Sequence, residues 1–183
     1  KSLGNIYTIE DLVDHGFDPL AYRLFVLGAH SRSKLNFTWP ALEAAQNAFD
    51  KLVAIIRGWE PPGEVSEKHK QAFLDAVNDD LNTAQALAVM WKLVDDKELA
   101  PDVKAGTLVW MDELLGLGLK DVIGAPLDIP KNVQDLVATR DKVREEKDWE
   151  ASDRLRDEIA EHGFAALDTA EGTRLQKKRA LTI

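Results

Sequence analysis

The 183-residue chain contains no cysteine. That excludes a disulfide framework and a thiolate zinc site within it, and nothing calls for an oxidising compartment, so a cytoplasmic location is expected. Histidine is also sparse: the four residues His15, His30, His69 and His162 are scattered, and none has a second ligand-type partner at the spacing of a metal-binding helix. No metal is expected to bind this chain. No apolar run approaches the ~20 residues of a membrane span, and the opening KSLGNIYTIE has no apolar stretch after its lysine, so a soluble chain with no membrane partner is expected. Glycine-rich phosphate loops, nucleophile elbows and HExxH patterns are missing as well. Spacing alone therefore gives no self-contained catalyst.

What the chain does have is acid. Its net charge is −9, from 32 acidic and 23 basic residues, which by itself argues against non-specific binding to phosphate. The distribution matters more than the total. From Lys131 onward 11 basic residues face 12 acidic ones, whereas the first 130 residues hold 12 and 20. A near-neutral tail of mixed sign can meet RNA through selected side chains while the rest of the chain keeps it soluble.

Apolar residues recur at helical spacing over most of the length, with period-two alternation only near the end. Thr8 and Asp11 form a capping pair for a short helix at about 8–15, and Asp18-Pro19 pairs a cap acceptor with proline at the first position of another, at about 19–29. A longer helix begins near Thr38, carries Leu42, Ala45, Phe49, Leu52, Val53 and Ile56 on one face, and stops at Gly58. Trp59-Glu60-Pro61-Pro62-Gly63 is a breaker and an exposed loop. Phe73 and Val77 mark the next helix, and Leu87, Met90, Trp91 and Val94 another, capped by Asn82 or Thr83. Leu108, Met111, Leu114 and Leu115 mark one more. GLGLKDVIGAPLDIP then reads as a linker, with a domain boundary near 118–129.

Beyond it, Val133, Leu136, Val137 and Val143 stripe a helix that frays around Glu146. Asp148 caps a second helix with Leu155 and Ile159, closed by Gly163. A glycine-containing turn between two short extended pieces then predicts a small hairpin, ahead of a basic end, KKRALTI, whose tip is expected to be disordered.

Lys1-Ser2-Leu3-Gly4-Asn5 resembles the end of the KMSKS loop of class I aminoacyl-tRNA synthetases, joined at its second lysine. A mobile loop bearing ammonium and hydroxyl groups can close over a triphosphate and stabilise charge as pyrophosphate leaves. Three further blocks follow in order. Asp18-Pro19-Leu20-Ala21-Tyr22-Arg23, continuing to His30-Ser31-Arg32-Ser33-Lys34-Leu35-Asn36-Phe37, resembles the start of the helical domain of cysteinyl-tRNA synthetases. Phe73 to Thr83, with its acidic pair Asp79-Asp80 before Asn82-Thr83, is similar to that family's acidic run. Arg144 to Asp157, with Gly163 and Asp168 to Thr173, is similar to its anticodon-binding element. The blocks reach from residue 1 to about 173.

The resemblance implies a mainly α fold: a helical bundle, an anticodon-binding or DALR-like domain, followed by a small helix-turn-helix and a short β-hairpin. It implies four segments: 1–17, the end of the KMSKS loop and a connection; 18–118, a tRNA-binding bundle; 119–130, a linker; and 131–183, an anticodon-recognition domain. Lys1 and Ser2 become the residues of ATP chemistry, with Lys1 on the phosphates. Arg144, Trp149, Asp153 and Asp168 become anticodon contacts, because unpaired bases are read by stacking on aromatics and by hydrogen bonds to their polar edges. Trp149 is the stacking candidate; it sits among Lys147, Asp148 and Glu150, with little apolar sequence around it, although one face of a helix is always buried. Arg144 can donate to a base carbonyl or phosphate, and the two aspartates can accept from base N–H groups such as those of guanine, the first base of a GCA anticodon.

The implied partners are tRNA(Cys), cysteine, ATP with magnesium, and an N-terminal catalytic half that also holds zinc; without that half this chain is not expected to aminoacylate. Two departures stand out: His30-Ser31-Arg32-Ser33 lacks a tyrosine common in the family, and Arg174-Leu175 replaces an aromatic after Gly172-Thr173. Singly, the marked residues have plainer readings. Arg23 can pair with a carboxylate, His30 can cap a helix end, and Asp79-Asp80 can be a solvated loop. Two other functions fit parts of the pattern: a helical protein-interaction scaffold, and the related cysteine ligase that acts on an amino sugar in thiol biosynthesis, which has no anticodon to read.

Overall fold

The structure, a computed structural model, describes residues 7–169 and 172–177. Lys1 and Ser2 lie outside the described residues, as does the C-terminal tip from residue 178. The chain divides into two compact units, the first made of the residues up to Val13 and of Phe17–Pro126, the second of the short stretch Asp14–Gly16 and the residues from Leu127 on.

The first unit is helical throughout. Its elements are α1 (Ile9–Asp14), α2 (Pro19–Leu27), α3 (Trp39–Arg57), α4 (Glu67–Asn78), α5 (Thr83–Asp95) and α6 (Pro101–Leu115), with a short 3-10 turn at Leu119–Asp121. The caps are those expected from the sequence. The Thr8 and Asp11 side chains bond each other's backbone N–H, Asp18 accepts from the Leu20 N–H at 2.8 Å, Thr38 from Ala41 at 3.3 Å, and Asn82 from Gln85 at 3.0 Å. Each satisfies a donor that a helix start leaves without an intrahelical partner.

Helices α2 and α3 pack together, as do α4 and α5, and α6 packs against both α4 and α5. The shared core takes Leu24, Phe49, Leu52, Ile56, Phe73, Met90, Leu93, Leu108, Met111 and Leu115. Leu114 is a correction to the stripe read from the sequence: it is exposed, because 108, 111 and 115 keep the three-and-four spacing of one face and 114 turns aside. Gln46, a polar residue on the buried face of α3, is accounted for by accepting the Asp18 N–H at 2.9 Å.

Residues 116–126 are more than spacer. Gly116 takes a left-handed φ of +64° after α6, and the Asp112 carboxylate accepts from the Leu117 N–H at 2.7 Å and the Leu119 N–H at 2.8 Å. That places Leu117 and Leu119 in the core of the first unit. Beyond the unit boundary, Leu127 and Ile129 pack on the core of the second. The glycines and prolines of this stretch are turn residues between apolar anchors, which the composition alone did not separate from a linker.

The second unit consists of α7 (Lys131–Glu145), α8 (Trp149–Glu161) and a hairpin of β1 (Phe164–Thr169) with β2 (Gly172–Lys177), paired antiparallel with Asp168 opposite Thr173. Its core is small: Val133, Ile159 and Phe164, flanked by Leu136, Val137, Ala166 and Leu175. The mainly helical architecture with a terminal hairpin is the one expected from the sequence.

Candidate nucleic-acid interface

The second unit gathers its polar side chains where α7 ends, α8 begins and the hairpin returns. Helix α7 stops at Glu145, and Lys147 reverses the chain with φ +61°. Asp148 then caps α8 by accepting the Ala151 N–H at 3.0 Å. The reversal puts Trp149 in the first turn of α8, close to the end of α7. Trp149 is 56% exposed, and the Arg144 guanidinium lies 5.8 Å from the centroid of its ring. The sequence left open whether this aromatic was core; it is a surface platform with a cation at its side.

Asp153, four residues on along α8, is exposed, and Arg156 stands 3.6 Å from it. Asp168 on β1 is the hub. Its Oδ1 accepts from Arg140 at 2.8 Å and its Oδ2 from Arg156 at 2.9 Å, and Arg144 is ion-paired with Oδ2 at 3.0 Å. The structure thus brings all four residues singled out on the second unit to one region, three of them joined by these contacts. It also adds Arg140, Arg156 and Thr173, which the sequence reading did not single out. Arg140 had a signal: it lies seven residues after Val133 and three after Val137, where the stripe of α7 calls for an apolar side chain.

The hydrogen bond from Arg140 is the main cause that holds the Asp168 carboxyl below the usual aspartate range, with the charges of Arg140, Arg144 and Arg156 adding to it against partial desolvation. A carboxyl depressed by folding contributes stability that is complete above its unfolded value of about 3.9 and is lost as pH falls through the folded value. We expect the stability advantage of the parent over Asp168→Asn, followed by hydrogen exchange at the hairpin amides, to shrink between pH 6 and pH 3. An advantage that is constant with pH would remove Asp168 as the acid-sensitive contact.

The blocks of the first unit take plainer forms. Arg32 pairs with Asp80 at 2.8 Å on the exposed surface, a contact worth about 1 kcal/mol at most. His30 Nδ1 accepts the Arg32 N–H at 3.2 Å. Arg23 donates from Nε to the Leu115 carbonyl at the end of α6, so it serves a helix end. Among the described residues no three His, Asp or Glu side chains are grouped to hold a metal ion, and no helix is long and apolar enough to cross a membrane.

Comparison with known proteins assigns this arrangement. Residues 72–120 match the DALR domain family, and residues 127–176 match the cysteinyl-tRNA ligase anticodon binding domain family. A match to the helical DALR domain followed by a match to an anticodon-binding domain defines the class: this is a region of an aminoacyl-tRNA synthetase. Among curated proteins, the chain is 42% identical to cysteine–tRNA ligase 1 of Burkholderia lata over 96% of its own length and 37% of the relative's. It is 35% identical to the cysteine–tRNA ligase of Neisseria meningitidis and 34% identical to that of Idiomarina loihiensis, over 39% and 41% of those proteins. The chain belongs to the cysteinyl-tRNA synthetase family, and it spans about two fifths of the length of these relatives.

Proposed function

We propose that this chain is the tRNA-binding part of a cytoplasmic cysteine–tRNA ligase and that its second unit reads the anticodon of tRNA(Cys). In the whole enzyme cysteine is activated with ATP and magnesium to the adenylate, then transferred to the terminal adenosine of the tRNA. Lys1 and Ser2 belong to that ATP chemistry, with Lys1 meeting the phosphates. Residues 18–118 brace the tRNA, 119–130 connect, and 131–183 recognise the anticodon. Zinc does not fit the donors present, since the chain has no cysteine and its described residues group no metal-binding set. The zinc that the family resemblance implies is assigned to the catalytic part of the enzyme, as is cysteine selection.

The observation that carries the anticodon reading is the exposed Trp149 with Arg144 beside its ring and Asp153 on the same helix. A solvated tryptophan beside a cation is a stacking surface for an unpaired base, and the neighbouring carboxylate and guanidinium groups can read its edges. Asp168 contributes through the arginines it holds, and through whatever accepting capacity those contacts leave.

The test is binding of this chain to a tRNA(Cys) transcript and to one altered only in its anticodon, across a salt series. We expect the altered transcript to bind more weakly by about tenfold or more, the scale of one good base contact. Both affinities should fall with salt through counterion release. Equal binding would reduce the chain to an electrostatic brace, and no binding to either transcript would favour a protein-interaction scaffold.

A further inference from the structure

Arg140 is fully buried, with 0% of its surface exposed, in a unit whose apolar core is small. Its Nη1 donates to Asp168 Oδ1 at 2.8 Å and to Thr173 Oγ1 at 2.6 Å. Those two residues face each other across the hairpin, so one nitrogen spans the cross-strand pair. Thr173 is held from the other side by Asp141, whose Oδ1 accepts the Thr173 hydroxyl at 2.6 Å and its backbone N–H at 3.1 Å. The Arg140 Nε and Nη2 atoms have no hydrogen-bond partner among the described residues.

That imbalance decides between two accounts of the residue. Leaving buried donors without acceptors opposes folding, and a well-packed apolar side chain of similar volume commonly stabilises as well as a buried ion pair or better. Stability is therefore a poor reason for an arginine here. An apolar residue could not, however, fix the direction of a carboxylate. The outer oxygen of Asp168 receives Arg144 and Arg156; Arg144 lies at the Trp149 ring, and Arg156 stands beside Asp153. Contacts thus run without a break from a residue that solvent does not reach to every side chain of the candidate interface.

We infer that Arg140 is a positioning residue for RNA recognition: by clamping the Asp168–Thr173 pair it fixes how Asp168 presents Arg144 and Arg156 beside Trp149. The inference rests on the anticodon reading and deepens it. Arg140 touches no RNA in this scheme; it acts through Asp168. The low Asp168 carboxyl value, owed first to the Arg140 hydrogen bond, agrees with this arrangement.

The experiment uses the full chain carrying Arg140→Met, which keeps length and bulk but has no donors. Thermal unfolding establishes the folded fraction, binding is measured with cognate and anticodon-altered tRNA(Cys) transcripts, and the Asp168 carboxyl is titrated by NMR. We expect a cooperative melt, a loss of about tenfold in cognate affinity with the preference between transcripts falling toward one, and an Asp168 titration raised toward the ordinary aspartate range. A folded variant that discriminates as the parent does overturns the positioning role alone. A parent chain that binds both transcripts equally overturns the anticodon reading, and the role with it. Should Arg140→Met fail to fold, Arg140→Lys decides by the same criterion, because an ammonium keeps the charge without the planar fork.

Discussion

Substituting Gly106 by alanine is expected to destabilise the first unit by about 3 kcal/mol, the upper part of the range for overpacking a tight contact. In an ordinary helix interior the same change would stabilise by roughly 1 kcal/mol, since alanine is the better helix former. The sign reverses here because Gly106, in the middle of α6, lies under the loop before α4. An added Cβ would overlap the Gly63 carbonyl oxygen and stand 2.8 Å from that of Glu64. Both obstacles are backbone, so neither can swing aside as a side chain would. The loop is also tied to α6 around that point: the Gly63 N–H donates to the Asp102 carbonyl at 2.9 Å, and the Ser66 N–H to Thr107 Oγ1 at 2.8 Å. Calorimetry should show a fall of at least about 10 °C in the melting of this unit. An unchanged or higher Tm would mean that loop and helix do not approach as closely as described.

Trp149→Ala is expected to weaken binding of tRNA(Cys) by about 1–3 kcal/mol, the amount associated with loss of one base stacked on an aromatic. Its effect on unfolding should stay within about 0.5 kcal/mol, because the side chain is largely solvated and outside the small core of the second unit. The separation of the two effects is what makes the variant informative. Trp149→Phe keeps a π face and should recover part of the affinity. Unchanged affinity in Trp149→Ala would end its assignment as the stacking residue, whatever else the unit binds.

The local elements were legible because their signals are local. Thr8 with Asp11, Asp18 before Pro19, Asn82 and Asp148 each hold the cap that their position predicts, since a cap depends on a side chain and a backbone N–H only a few residues away. The stripe on α3 was likewise readable, and Leu42, Phe49, Leu52 and Ile56 are buried as its spacing requires. Leu114 shows where such reading blurs: it is apolar and one position beside the seam, and only the packing of α6 leaves it in solvent. The stretch after α6 blurs in the same way, because its glycines suggested a spacer while a carboxylate five and seven residues from its partners, Asp112, folds it into the core.

The candidate interface was half legible. Arg144, Trp149 and Asp153 are near neighbours in sequence: helical spacing joins Trp149 to Asp153 on α8, and the tight reversal at Lys147 brings the end of α7, with Arg144, beside them. Asp168 and Thr173 come from the hairpin, and whether they join the same region depends on strand register and on how the hairpin meets α7. Arg140 was legible only in part: its place in the apolar stripe of α7 points to burial, but the acceptors that neutralise it come from the hairpin and are located only in space.

The sequence by itself determined the helices, their caps, the final hairpin and the family to which the chain belongs, because short-range hydrogen bonding and periodicity are written in consecutive residues. Only the tertiary structure decided that Trp149 faces solvent, that Asp168 serves three arginines, and that a fully buried Arg140 stands behind them. Burial and ion pairing are properties of residues distant in the chain, and their energies exist only once the fold has brought those residues together.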